Sequence, residues 1–335
     1  MRKRTDISGP TGSDGVTNSA FKLNAATLRR ARVLVVGDIM LDRYLFGEVS
    51  RISPEAPVPI VKVVRQEERP GGAANVARNA AALGAQVSLL SVIGADEAGE
   101  RLRELIVKDG INASLWQDKS LETTRKVRVI GRQQQLLRID FEQTPSQEIL
   151  MKKLGVYRNL LQECDVVILS DYGKGGLTHI AEMIKVARLY TRQIFIDPKG
   201  YDYSRYAKAN VMTPNRRELR EVVGQWSSEA DLEKRAQALR RKLDLDALLV
   251  TLSEEGMTLF DEHAVHHEAA KAREVFDVSG AGDTVIAALA VMIAAGADLR
   301  EAMRIANHAA GIVVGKLGTA VASLDELIGS MKAEQ

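Results

Sequence analysis

An α/β fold with a doubly wound, mostly parallel central sheet is predicted by three features of the sequence. Short, wholly apolar segments closed by a polar residue recur along the chain, which is how strands buried on both faces read. Segments with helical periodicity stand between them, and repeated β-α alternation argues for helices on both faces of one sheet. The 335 residues, 45% of them hydrophobic, are enough to bury a large core with an appendage.

The first thirty residues begin with basic side chains but lack the apolar stretch of a secretory signal. Gly, Ser, Thr, Asn and Pro dominate residues 8–19, so residues 1–31 read as a flexible extension that ends in a short helix near 24–31. The main domain then spans 32–330. RVLVVGD (32–38) is a strand, GGAANVARNAAALG (71–84) a helix stopped at Gly84, QVSLLSVIG a strand, DEAGERLRELIVKDG a helix and INASLW a strand. VVILSD, QIFID, NVMTPN and ALLVTLS are further strands, and helical patterns occupy 146–162, 178–190, 215–223 and 229–241. Two β-rich stretches, 44–66 and 122–141, break the alternation and are predicted to form a small separate sheet, a lid over the site or a dimer interface.

Forty-six basic against forty-four acidic residues leave a net charge of +2, which gives no bulk electrostatic footprint for nucleic acid. The longest apolar run, about a dozen residues after Asp283, falls short of the roughly 20 that cross a bilayer, so no membrane partner is expected. The single cysteine, Cys164, precedes DVVILS and reads as a buried structural thiol, in keeping with a reducing cytosol. GIVVGKLG at 311–318 imitates a phosphate-binding loop, but its glycines are one residue too close and Leu317 stands where a hydroxyl is required, so it reads as a helix end. His263, His266 and His267 lack the helical spacing of a zinc pair.

Ligands of such a sheet gather at the C-terminal ends of its parallel strands, where Asp38, Asp171 and Asp197 close theirs. Asp42 follows Asp38 by four residues, and carboxylates suit polyols because each accepts several hydrogen bonds. Gly71 and Gly72 would let a small polyol press against backbone, with Asn75 bonding its hydroxyls; a simple turn is the plainer alternative. DVSGAGD at 277–283 runs straight into TVIAALAVMIAA. A glycine-rich turn at a helix start offers backbone amides and the positive end of the helix dipole, a cradle for phosphate. Asp283 at its edge can take the proton of a hydroxyl attacking phosphorus, or serve only as a helix cap.

DVSGAGDT resembles the C-terminal signature of ribokinase-like carbohydrate kinases, and GGAANVARNAAALG followed by GADEAG resembles their N-terminal signature, over roughly residues 32–325. The resemblance implies a ribokinase-like three-layer sandwich with a small β-sheet lid. It implies Asp283 as catalytic base, with the amides of Gly280, Ala281 and Gly282 around the transferring phosphoryl group. PNRRE looks like the family's Asn-x-x-Glu motif, so Asn215 and Glu218 would organise Mg2+, through water, and the phosphates of ATP; a helix N-cap is compatible. Thr251, Ser253 and Gly256 in TLSEEG, with Lys199 and Asn307, complete the implied ATP set. Asp277, Ser279, Val314, Leu317, Thr319 and Ser323 match the family's monovalent-cation site, although Asp-Val-Ser replaces the commoner Asn-Thr-Thr before GAGD, which bears on K+.

GDIMLDRYLFGEVSRISPEAPVPIVKV, TTRKVRVIGRQQQLLRIDFE, SDYGKGGL and DPKGYDYSRY narrow the resemblance to the members that phosphorylate a heptose 7-phosphate at its anomeric hydroxyl, on the route to lipopolysaccharide core. A basic lid suits a substrate that already carries phosphate; Lys126, Arg128, Arg138 and Lys174 are its candidate ligands, and some would face solvent instead. Relatives often carry a nucleotidyltransferase domain with a His-x-Gly-His motif, absent here, so a stand-alone kinase is expected, a homodimer through the lid, with a sugar phosphate and ATP as its partners. The rivals are a kinase for another sugar and a silent sugar- or nucleotide-binding regulator.

Overall fold

The computed structural model describes residues 21, 23–132, 134–271 and 274–334. Most of the expected N-terminal extension, residues 1–20 and 22, lies outside the described residues. In chain order the elements are α1 (Ala25–Leu28), β1 (Arg32–Gly37), β2 (Ile39–Ile52), β3 (Pro59–Gly72), α2 (Ala73–Ala82), β4 (Gln86–Gly94), α3 (Glu97–Lys108), β5 (Asn112–Asp118), β6 (Arg125–Gly131) and β7 (Gln134–Phe141). Then come α4 (Gln147–Leu160), β8 (Val166–Ser170), α5 (Ile180–Leu189), β9 (Gln193–Asp197), β10 (Val211–Met212), α6 (Arg216–Val223) and α7 (Glu229–Lys242). The chain closes with β11 (Ala247–Thr251), β12 (Met257–Phe260), β13 (Val265–Glu268), α8 (Ala281–Ala294), α9 (Leu299–Val314) and α10 (Leu324–Lys332).

Nine strands form one sheet in the order β13-β12-β11-β10-β9-β8-β1-β4-β5, parallel from β11 to β5, with β12 and β13 antiparallel at one edge. Strand β1 shows why the apolar runs have no period of two. Val33 and Val35 pack into the core beneath α2, α8 and α9, whereas Leu34 and Val36 enter a second core with residues of α4, α5 and α7 on the opposite face. Both faces are dry, so alternation disappears. Helix α8 is apolar on nearly every side because it is buried from Asp283 to Met292. Cys164 is a buried free thiol, and burial pushes it up to about 11.

The second sheet has the order β3-β2-β6-β7 and is the lid that the two irregular stretches predict. Its limits differ from the expected 44–66. Strand β2 starts at Ile39, one residue beyond β1, and β3 runs to Gly72 and enters α2 without a loop. The stretch is a long hairpin turned at residues 53–58, where Pro54 and Pro57 interrupt the ladder. The paired glycines belong to the end of β3 for a steric reason. A Cβ on Gly71 would stand 2.4 Å from the Asp42 carboxylate, and Gly72 has φ 62 with its Cβ position 2.4 Å from the Asp38 carbonyl.

Candidate active site

Asp283 lies in the first turn of α8, 4% exposed, but it does not cap the helix. Gly280 holds the cap position with φ 79, where a Cβ would stand 2.6 Å from Asn75 Nδ2. The Asp283 carboxylate turns inward instead. Its Oδ2 accepts from Asn75 Nδ2 at 2.7 Å and its Oδ1 accepts from the Tyr172 hydroxyl. Burial pushes the acid up to about 6, against the lowering pull of those two donors, while Asp42 raises it and Lys126 lowers it further. Desolvation thus places Asp283 above the ordinary carboxylate range.

Of the three amides expected to cradle an anion, one is already used within the chain. Ala281 N–H donates to the Val278 carbonyl at 3.2 Å and is not free. The amides of Gly282 and Asp283 meet no acceptor among the described residues, as the start of a helix dictates, and they point the cradle at the same end as the base.

The predicted sugar ligands divide into two groups. Asp38 accepts from the backbone amides of Tyr172 (3.1 Å), Lys174 (3.0 Å) and Gly176 (2.8 Å), so it anchors the loop after β8 and does not present itself to a polyol. Asp171 likewise accepts from Gly173 N and from the Tyr206 hydroxyl, each at 2.8 Å, with Arg205 3.4 Å away. Behind the loop, buried Lys153 donates to the Gly176 carbonyl at 2.6 Å, and burial lowers it to about 8. Asn75 is wholly buried and spends its amide on Asp283, its backbone carbonyl accepting from Asn79 Nδ2 at 2.9 Å.

In the second group, Asp42 pairs with Arg128 at 2.5 Å, Lys174 with Glu142 at 2.6 Å and Arg138 with Asp140 at 2.9 Å. The ammonium of Lys126, on β6, makes no ion pair or hydrogen bond among the described residues. It is half-buried, and burial with the nearby positive Lys174 and Arg138 lowers its pKa against the opposing pull of Asp42. An unpaired, desolvated ammonium among other cations is an anion site in waiting.

On the other side of Asp283 a cleft of about 750 Å³ is lined by Asn215, Thr251, Ser253, Gly256 and Asn307 together with apolar Val275, Val278 and Val285. The predicted ATP residues are thus brought together, apart from Glu218 and Lys199. A smaller adjoining pocket shares Asn215, Thr251 and Gly282 with the cleft and adds Lys199, Asp197, Glu218, Tyr172 and Asp283. Asn215 and Glu218 form a reciprocal capping box at the start of α6, and Glu218 also meets Lys199 Nζ at 3.1 Å. The motif is both helix cap and pocket wall.

The Asp197 carboxylate has no hydrogen-bond partner among the described residues, and burial with the charges of Asp283 and Glu218 raises its pKa well above the usual range. Such an acid, next to Glu218, suits a divalent cation, which would favour its charged form. No three acidic, histidine or cysteine side chains among the described residues could hold a metal unaided, so Mg2+ would be shared with phosphates. The monovalent-cation set fits less well. Asp277 accepts from Ser279 N and Gly318 N, both at 2.9 Å, and the Val314 carbonyl accepts from the amides of Phe276 and Asp277. The Leu317 carbonyl accepts from the Arg69 guanidinium, and Ser323 is committed to a capping box with Glu326, which leaves the buried Thr319 hydroxyl without a partner. Arg69 already supplies a positive charge at this loop, beside the Leu317 carbonyl.

Known proteins resemble this chain in sequence and in fold. A D-beta-D-heptose 7-phosphate kinase of Bordetella bronchiseptica is 56% identical over 305 residues, 91% of this chain and 97% of that protein. The bifunctional protein HldE of Shewanella sediminis is 50% identical over 93% of this chain, which spans 66% of that longer protein. Arabidopsis thaliana ribokinase, solved with ribose and ATP, superimposes with a TM-score of 0.73 at 20% identity, covering 90% of this chain and 99% of that one, and shows the fold to be ribokinase-like. No helix among the described residues is long and apolar enough to cross a membrane. Residues 30–326 match the pfkB family of carbohydrate kinases, and the chain belongs to that family.

Proposed function

We propose that this kinase transfers the γ-phosphoryl group of ATP to the anomeric hydroxyl of D-glycero-D-manno-heptose 7-phosphate, giving the 1,7-bisphosphate. The observation that carries the choice of substrate is Lys126. A half-buried ammonium without a partner, lowered by burial, Lys174 and Arg138 against the pull of Asp42, is costly unless a substrate brings negative charge to it. A neutral sugar would not offset that cost. The name of the Bordetella relative points to the same substrate.

ATP fits the cleft of Thr251, Ser253, Gly256 and Asn307, its phosphates reaching the free amides of Gly282 and Asp283. The sugar hydroxyl oxygen attacks the γ-phosphorus, the bond from that phosphorus to the bridging oxygen of ADP breaks, and the hydroxyl proton passes to Asp283. Bound Mg2+ would neutralise phosphate charge, held by Glu218 and Asp197 with Asn215 nearby. In the loop of Asp277 to Thr319, the Asp277 carboxylate and the Val314 and Leu317 carbonyls already accept from donors of the chain, while the Thr319 hydroxyl has no partner, so the case for K+ is weaker than that for Mg2+. Asp38 and Asp171 act on the sugar through the loop they hold; Asp42 and Lys126 face it directly.

The deciding experiment is a coupled assay of ADP release over a panel of sugar phosphates. Heptose 7-phosphate should give the highest kcat/KM; faster turnover of fructose 6-phosphate or ribose would replace the substrate while keeping the chemistry. A homodimer through the lid is supported by the exposed Val63, Val64, Leu137 and Ile139 on its edge strands β3 and β7. Light scattering should find a dimer, and Leu137→Asp should give a monomer.

A further inference from the structure

Both oxygens of Asp283 already hold a donor, and the two donors differ in how firmly they are fixed. Asn75 is wholly buried in the first turn of α2 and tied to Asn79. Tyr172 stands on an irregular loop with Gly173 at φ 70 and Gly175 at φ 90, and it borders the pocket that contains Gly282 and Asp197. The bonds from Asp38 hold that loop by its backbone, at the amides of Tyr172, Lys174 and Gly176. The phenol ring can therefore turn about its own side-chain torsions while the loop stays anchored.

We propose that Tyr172 gates the base: its hydroxyl occupies Asp283 until the sugar hydroxyl displaces it, and so denies water the use of that base as phosphoryl acceptor. This rests on Asp283 acting as the base of a kinase. ATP and a buried carboxylate in one pocket invite hydrolysis, in which water attacks the γ-phosphorus, ADP leaves and the water proton passes to Asp283. A sugar phosphate held at several points has binding energy with which to displace a phenol; a single water has almost none. Burial and the adjacent carboxylate keep the phenol well above its usual range, so it remains a donor.

The test is ATP hydrolysis with Mg2+ and no sugar, at pH 8, above the value of about 6 to which burial pushes Asp283. Tyr172→Phe should raise this hydrolysis about tenfold, the scale of one hydrogen bond to a charged group. Tyr172→Leu, which also lacks the hydroxyl, should show the gain, and Asp283→Asn in the Tyr172→Phe background should abolish it. Hydrolysis that is unchanged or lower in both Tyr172 variants overturns the gate, as does a gain that survives Asp283→Asn. A merely structural role would lower activity, and a poorly folded variant cannot raise it. Because no sugar is present, the outcome does not depend on which sugar the kinase accepts, and failure of the heptose panel would leave it standing.

Discussion

The two walls of the site are built on opposite principles. On the core wall, Asp283, Asn75 and Asp38 are almost wholly buried, and both oxygens of the Asp283 and Asp38 carboxylates have a donor. On the lid wall, β7 is exposed along nearly its whole length, and its Arg138 pairs with Asp140 at a half-exposed position. Lys126, on the lid strand β6, is half-buried, and its ammonium is unpaired among the described residues. The difference teaches that the chemistry is fixed by burial, which removes alternatives, whereas recognition of a charged substrate is left to side chains that still have an interaction to make.

The largest expected effect tests the core wall. Asp283→Asn should retain ATP binding, measured by calorimetry, yet lose turnover by roughly 10²- to 10⁴-fold, the usual scale for a general base. Near-normal turnover would remove the distinction between the walls. Lys126→Ala should come next, raising KM for the sugar phosphate about tenfold or more with a smaller change in kcat, since a charge-assisted contact to phosphate is lost. Arg138→Ala, on the same lid but already paired and half exposed, should change KM by no more than about twofold. If the two lid variants behaved alike, burial would not be what separates substrate ligands from surface charge.

A third effect joins the walls. Asp283 must be unprotonated to accept a proton, so kcat/KM should fall as pH drops through about 6. Lys126 favours the charged form of Asp283, so Lys126→Ala should move that acid limb to higher pH, read from the pH profile of the variant. A limb that stayed in place would mean the lid charge is not felt at the base. The smallest effect concerns the cation loop, where replacing potassium by sodium in the assay should leave kcat unchanged, because Arg69 and backbone amides already satisfy Leu317, Val314 and Asp277.

Much of this was legible in the sequence wherever a residue type has one use at its position. The glycine turn before an apolar run, the Asn-x-x-Glu start of α6 and the short dry strands became what their chemistry demands. Partners were not legible. Asp38 and Asp171 read as sugar ligands because they end strands, but a strand-end carboxylate serves a loop amide as readily as a hydroxyl, and only the path of the loop decides. Tyr172 was passed over for a related reason. SDYGKGGL marked its stretch, yet nothing in a tyrosine between an acid and a glycine says that its hydroxyl meets a carboxylate 111 residues away. The upward shift of Asp283 was equally hidden, since it comes from burial by distant elements.

The way the lid is spliced into the core carries a mechanical consequence. A single residue, Asp38, separates β1 from β2, and none separates β3 from α2. Two fourteen-residue strands reach out from that root, a span of roughly 45 Å at about 3.3 Å per residue. The hairpin is thus a lever with no slack at its fulcrum. A load at its tip is delivered as torque on Gly71, Gly72 and the first turn of α2, where Asn75 holds the base.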